Sequence, residues 1–131
     1  MPATPWKSLQ APEPQREYLV LLTYLPLKRF LSMRRFGRDA GQIEAQLEAT
    51  PGLLGYSLRA KPLRRRFWTL SAWTDERALR EFVRTEPHGR VMTELPPHMG
   101  PTKFFRWTAP GSALPPSWDD ALRREQEEPR R

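Results

Sequence analysis

The order of apolar runs and helix-period segments between residues 16 and 108 constrains this chain more than any other feature. "YLVLLTYL", residues 18–25, is a short apolar run closed by Pro26 and reads as a strand. Phe36, Ala40, Ile43 and Leu47 then fall at i, i+4, i+7 and i+11, one apolar stripe on a helix over 30–49 that "TPG" at 50–52 stops. Residues 53–60 and 67–73 read as two strands joined by "KPLRRR", whose proline and arginines suit a solvated hairpin. "TDE" at 74–76 starts a second helix, with Thr74 as its cap and Ala78, Leu79, Phe82 and Val83 as its buried stripe. Pro87 breaks that helix; a further helical segment over 87–95, capped by Thr85, carries His88, Val91, Met92 and Leu95 on one side. "PPHMGP" ends it, and 102–108 is the last strand.

The order β-α-β-β-α-β predicts an α+β, ferredoxin-like domain over 17–108: a four-stranded antiparallel sheet with two helices on one face. The flanks differ. Eight of the fifteen prolines lie in 1–16 and 109–131, and proline lacks the amide hydrogen a sheet needs, so both ends read as extended arms. Trp6 and Trp118 sit in those arms, and the cost of a wet indole predicts that each docks through its tryptophan. A short C-terminal helix is expected over 117–126.

The chain's 131 residues suffice for one core, and its composition is that of a soluble protein. With no cysteine, disulfides, thiolate–zinc sites and thiol catalysis are excluded. No apolar run is long enough to span a bilayer and no signal peptide opens the chain, so a cytoplasmic protein without a membrane partner is expected. A net charge of +7 suits an anionic partner, although a solvated surface is the default reading of its arginines. Nucleotide-loop, metalloprotease and Cys-metal motifs are missing.

Strand alternation puts Phe67, Thr69, Ser71 and Trp73 on one side of the third strand and Trp68, Leu70 and Ala72 on the other. In the last strand Lys103, Phe105 and Trp107 oppose Thr102, Phe104 and Arg106. Both sheet faces are therefore rich in large apolar groups, and the one without helices needs a cover. Single-stranded RNA is one candidate. The third strand of an RNA-recognition module asks for a basic residue, Gly, an aromatic, Gly or Ala, and an aromatic; Arg65, Arg66, Phe67, Trp68 and Thr69 fail three of those five places, so specific nucleic-acid binding is not expected. A second copy of the chain is the other candidate.

Residues 51–92 carry a resemblance that favours the second copy. A "PG" turn leads into the second strand, the third ends in Trp73-Thr-Asp-Glu-Arg-Ala78, and a Phe82-to-His88 segment follows. This pattern resembles the dimeric α/β-barrel proteins of the antibiotic biosynthesis monooxygenase-like superfamily. The resemblance implies a homodimer whose two sheets face each other, with a lipophilic cleft in each subunit between sheet and helices. It also implies a monooxygenase-like enzyme acting on an aromatic or polyketide-like small molecule, with either no cofactor or heme. A non-enzymatic ligand-binding dimer is the remaining alternative.

The candidate site residues follow. His88 can act as an acid, a base or an anchor near neutral pH. Trp73 is a cleft wall, and Arg59 a contact for a phenolate or carboxylate. Tyr24, Tyr56, Trp68, Phe82 and Met92 are the expected substrate contacts. If heme binds, His88 and His98 are its candidate ligands. Heme-degrading members of the family use an Asn on the first strand, where this chain offers Thr23, and a His whose place falls near Met92, so that triad is incomplete.

Overall fold

A computed structural model describes residues 3–29, 33–86, 88–89 and 99–127. The elements are β1 (Lys7–Ser8), β2 (Glu17–Pro26), α1 (Met33–Glu48), β3 (Leu53–Lys61), β4 (Arg66–Trp73), α2 (Glu76–Arg84), β5 (Lys103–Pro110) and α3 (Trp118–Glu127). The strands make one sheet in the order β1-β3-β4-β2-β5, with every neighbouring pair antiparallel. The four expected strands are present in ferredoxin-like order. The sheet is five-stranded rather than four-stranded, because Lys7 and Ser8 of the N-terminal arm pair with Tyr56 and Gly55.

The β2–β4 and β2–β5 registers divide the side chains as the alternation predicts. Leu19, Leu21 and Thr23 share a face with Ser71, Trp73 and Arg106, and Val20 and Leu22 share the other with Leu70, Phe105 and Trp107. Strand β3 departs from simple alternation. Its pairing with β4 shifts between Leu53 and Gly55, so Leu53 and Tyr56, three residues apart, both join the core around Trp73, while Leu54 packs with Tyr18 and Ala72.

Helices α1 and α2 cover the first face. Leu47 and Ile43 of α1 and Leu79 and Phe82 of α2 pack on Leu53, Tyr56 and Trp73. The buried stripe of α1 includes a carboxylate the periodicity did not single out: Asp39, buried between Phe36 and Leu47, with its Oδ2 3.7 Å from Arg35 Nε. Gly52 makes the turn from α1 into β3. Its φ is +86°, and a Cβ there would lie 2.5 Å from the Ala78 Cβ, so only glycine lets the turn seat against α2.

One expected cap is corrected. Asp75, not Thr74, caps α2, accepting the Ala78 amide at 2.8 Å, because the Thr74 amide is still held by the Gly52 carbonyl and the chain leaves the sheet one residue later. Thr85 closes α2, its amide shared by the Glu81 and Phe82 carbonyls, and its own carbonyl accepts the Gly89 amide at 3.2 Å at the start of the next segment. Of the segment expected over 87–95, only His88 and Gly89 lie within the described residues.

The second face has an intramolecular cover. Trp118, Ala121 and Leu122 of α3, together with Trp6 and Leu114, pack on Val20, Leu22, Trp68, Leu70 and Phe105. Polar edges fasten the helix down: Trp68 Nε1 donates to Glu125 at 3.2 Å, and the Arg124 guanidinium lies 4.6 Å from the Trp107 ring centre. The face on which the resemblance would seat a second sheet is thus occupied by the chain's own ends. A second copy would have to displace α3 or meet the chain elsewhere.

Candidate functional site

The residues singled out from the sequence do not converge on one cleft. Trp73, Tyr56, Phe82 and His88 belong to the side covered by α1 and α2. Tyr24, Trp68 and Arg59 lie on the opposite face, beneath or beside α3. There the rings of Tyr24 and Trp68 are 5.4 Å apart, and the Arg59 guanidinium stacks 4.8 Å above Trp68. The reason is parity: Tyr24 and Arg59 are both register partners of Trp68, one position out of phase with Trp73. Met92 and His98 lie outside the described residues.

On the helix side, three rings form a continuous contact. Trp73 is buried, its Nε1 donating to Ser71 Oγ at 2.8 Å. Its ring centre is 5.4 Å from that of Phe82, which in turn is 4.8 Å from that of His88. Strand β4 fixes the first ring, α2 the second and the turn after α2 the third.

His88 is held by two hydrogen bonds of different kinds. Its amide donates to Gln46 Oε1 at 3.0 Å, and Nδ1 lies 3.1 Å from the Val83 carbonyl. A carbonyl can only accept, so Nδ1 carries the hydrogen and Nε2 keeps its lone pair. Burial pushes the His88 pKa below the ordinary 6.5, outweighing the Val83 carbonyl, so the ring is neutral at pH 7. A neutral imidazole with a free Nε2 is chemically competent as a base.

Tyr56 is on this side, but its hydroxyl is committed. It donates to Glu44 and Glu48 at 3.1 and 3.0 Å, and burial together with those carboxylates raises its pKa far above the usual phenol range. Lys7 completes the cluster 2.6 Å from Glu48. Tyr56 thus links the N-terminal arm to α1 through Glu48.

Among the described residues, open space lies between the helices. A solvent-open groove of about 860 Å³ is lined by Gln46, Ala49, Gly52, Thr74, Ala78 and Phe82, among others. Gln46 spans it: Nε2 donates to the Phe82 and Thr85 carbonyls at 3.1 and 3.0 Å while Oε1 receives the His88 amide. Sequence reasoning did not pick out Gln46, because an amide on a helix carries no motif; its role follows from facing three backbone groups at the end of α2. No group of three or more His, Cys, Asp or Glu that could hold a metal ion occurs among the described residues, and no helix there is long and apolar enough to cross a membrane.

Neither a protein-family model nor a curated protein matches the chain. Solved structures do. SnoaB, a cofactor-independent oxygenase from Streptomyces nogalater, aligns at 17% identity over 76% of this chain and 98% of its own, with a TM-score of 0.60. A protein from Nitrosomonas europaea assigned as an antibiotic biosynthesis monooxygenase aligns at 16% identity over 79% of this chain and 96% of its own, with a TM-score of 0.65. The chain has the fold of the antibiotic biosynthesis monooxygenase-like proteins. PA3566 from Pseudomonas aeruginosa shares it at 18% identity over 74% of this chain and 97% of its own, with a TM-score of 0.60. These structures are nearly covered end to end while about a quarter of this chain is left over. Identities this low establish the monooxygenase-like fold, and the chemistry must be argued from the residues.

Proposed function

We propose that this chain is a monooxygenase-like enzyme that acts on a lipophilic fused aromatic phenol or polyketide-like substrate without an organic cofactor. The reading rests above all on Phe82, which lines the groove between α1 and α2 and contacts both Trp73 and His88. A flat substrate in the groove lies against Phe82, itself 6% exposed, and the neutral His88, which does not line the groove, packs on that same ring. The groove's small residues, Ala49, Gly52 and Ala78, leave room for a planar molecule to lie against the helices.

The chemistry would proceed in two stages. His88 Nε2 removes the substrate's acidic proton, leaving an electron pair delocalised over the ring system. That electron-rich carbon reduces dioxygen: a C–O bond forms and the O–O bond breaks, one oxygen staying as the new carbonyl and the other leaving as water with the proton held by His88 and the hydrogen lost from the oxidised ring carbon. The oxidant is dioxygen and the reductant is the substrate. The protein's tasks are to orient the ring plane and hold the proton.

Dioxygen uptake with fused phenols and hydroquinones tests this. Wild type should consume oxygen and form the quinone, and His88→Gln should lower kcat by about a hundredfold or more. Unchanged turnover in His88→Gln would remove His88 from the reaction. No uptake with any such substrate, together with a saturable Soret shift on adding hemin that His88→Ala abolishes, would replace the reading with a heme protein.

A further inference from the structure

The end of the sheet where β3 turns into β4 carries a feature that the proposed chemistry does not use. Strand pairing gathers the end of β3, the starts of β4 and β5, and the exit of β2 at this one end: Lys61 pairs with Arg66, Arg66 with Pro26, Tyr24 with Lys103, and Leu27 with Met99. Lys28, Arg29, Lys61, Arg64, Arg66 and Lys103 therefore crowd together. None of these six makes an ion pair among the described residues, whereas elsewhere Lys7, Arg16 and Arg106 are each matched to a glutamate. Among the described residues, the positive charge gathered at this end is thus unopposed.

At the tip of this end, flanked by Pro62 and Arg64, stands Leu63, 88% exposed, and Phe104 beside Lys103 is 55% exposed. The tip is built to stay out. Pro62 opens a single 3-10 turn, and Arg65 closes it in the left-handed conformation at φ 58°, its amide donating to the Pro62 carbonyl at 3.0 Å. The turn is then anchored to the neighbouring strand: the Leu27 amide donates to the Arg65 carbonyl at 2.8 Å, and Arg65 Nε donates to the Leu27 carbonyl at 3.3 Å. A leucine held outward by a braced turn cannot fold back into the core, and its apolar surface stays in water unless a partner covers it.

We propose that this end docks on an anionic lipid surface, Leu63 entering the headgroup layer while the surrounding cations meet lipid phosphates. A convex aliphatic tip ringed by cations matches a deformable interface that is anionic outside and apolar beneath. Nucleic acid fits it less well: base stacking calls for a planar side chain at the tip, where the aliphatic Leu63 stands, and the exposed Phe104 lies two strands away on β5. Docking of this kind needs no spanning helix and is independent of the oxygenase reading.

Co-sedimentation of the full chain with vesicles of phosphatidylcholine, alone or mixed with phosphatidylglycerol, tests the proposal. Binding should require phosphatidylglycerol and be released by high salt. Leu63→Ser should weaken the partition coefficient about tenfold, and Arg64→Gln combined with Arg66→Gln about thirtyfold. All three positions are exposed, so an unchanged thermal melt confirms that the variants are folded. Failure to bind the mixed vesicles, or equal binding by Leu63→Ser, overturns the proposal. Retention on duplex DNA at a salt concentration that strips the vesicles overturns it too and makes the surface a nucleic-acid site.

Discussion

The indole N–H of Trp118 donates to the hydroxyl of Ser57 at 3.0 Å, and that hydroxyl donates in turn to the Thr4 carbonyl at 2.6 Å. One buried serine thus ties the C-terminal helix, the middle of β3 and the N-terminal arm together. Ser57→Ala strands an indole N–H and a carbonyl, and should cost about 1–3 kcal/mol in urea unfolding. Truncation after Pro116 removes α3 and uncovers the Trp68, Phe105 and Trp107 face. The truncated chain should bind a hydrophobic dye and self-associate in light scattering; if it stays monomeric and dye-silent, α3 is not the cover of that face.

Trp73 and Ser71 form a second buried pair, one strand side chain satisfying another. Ser71→Ala should destabilise by about 1–3 kcal/mol, since the indole N–H then has no acceptor in an apolar layer. Trp73→Phe removes the donor with most of the ring kept, so the double variant should be less destabilised than the sum of the two single changes. Additive losses would mean that the bond adds nothing beyond packing.

Gln46 holds three backbone groups at the end of α2. Gln46→Ala should cost about 1–3 kcal/mol and loosen this corner before the sheet. Hydrogen exchange at the His88 amide should accelerate while the β2–β4 amides stay protected; uniform exchange throughout would show that the corner has no independent stability.

The His88 pKa is depressed below 6.5 by burial. The unfolded chain therefore binds a proton on His88 at a higher pH than the folded chain does. Folding stability should fall as the pH drops below 6.5 and level off once the folded ring is also protonated. Urea midpoints between about pH 7.5 and about pH 5 should show that slope, reduced in His88→Leu. If His88 Nε2 is the base, turnover falls on the same acid side, because protonation consumes its lone pair.

Strand order, both main helices and the division of β4 and β5 into faces were legible in the sequence, because period-two and near-3.6 apolar patterns report which side of an element is buried. Phe82 in the buried stripe of α2 was legible as well, whereas the contacts that join it to Trp73 and His88 come from the fold. The grouping of Arg59, Tyr24 and Trp68 with them was not. Each looks like a substrate contact by residue type, yet strand parity sends all three to the far side of the sheet.

By itself the sequence determined the α+β layering, the proline-bounded arms and the absence of thiol chemistry, all of which follow from local periodicity and residue type. Only the tertiary structure decided what covers the second sheet face, that Gln46 binds backbone groups beyond its own helix, that Asp39 is buried, and that Leu63 is held out among basic residues. Those depend on contacts between residues far apart in the chain: Trp118 finds Ser57 across 61 positions and Trp68 finds Glu125 across 57. Local pattern shows that a surface needs covering, whereas the identity of the cover is set by where the chain ends can reach once the sheet is built.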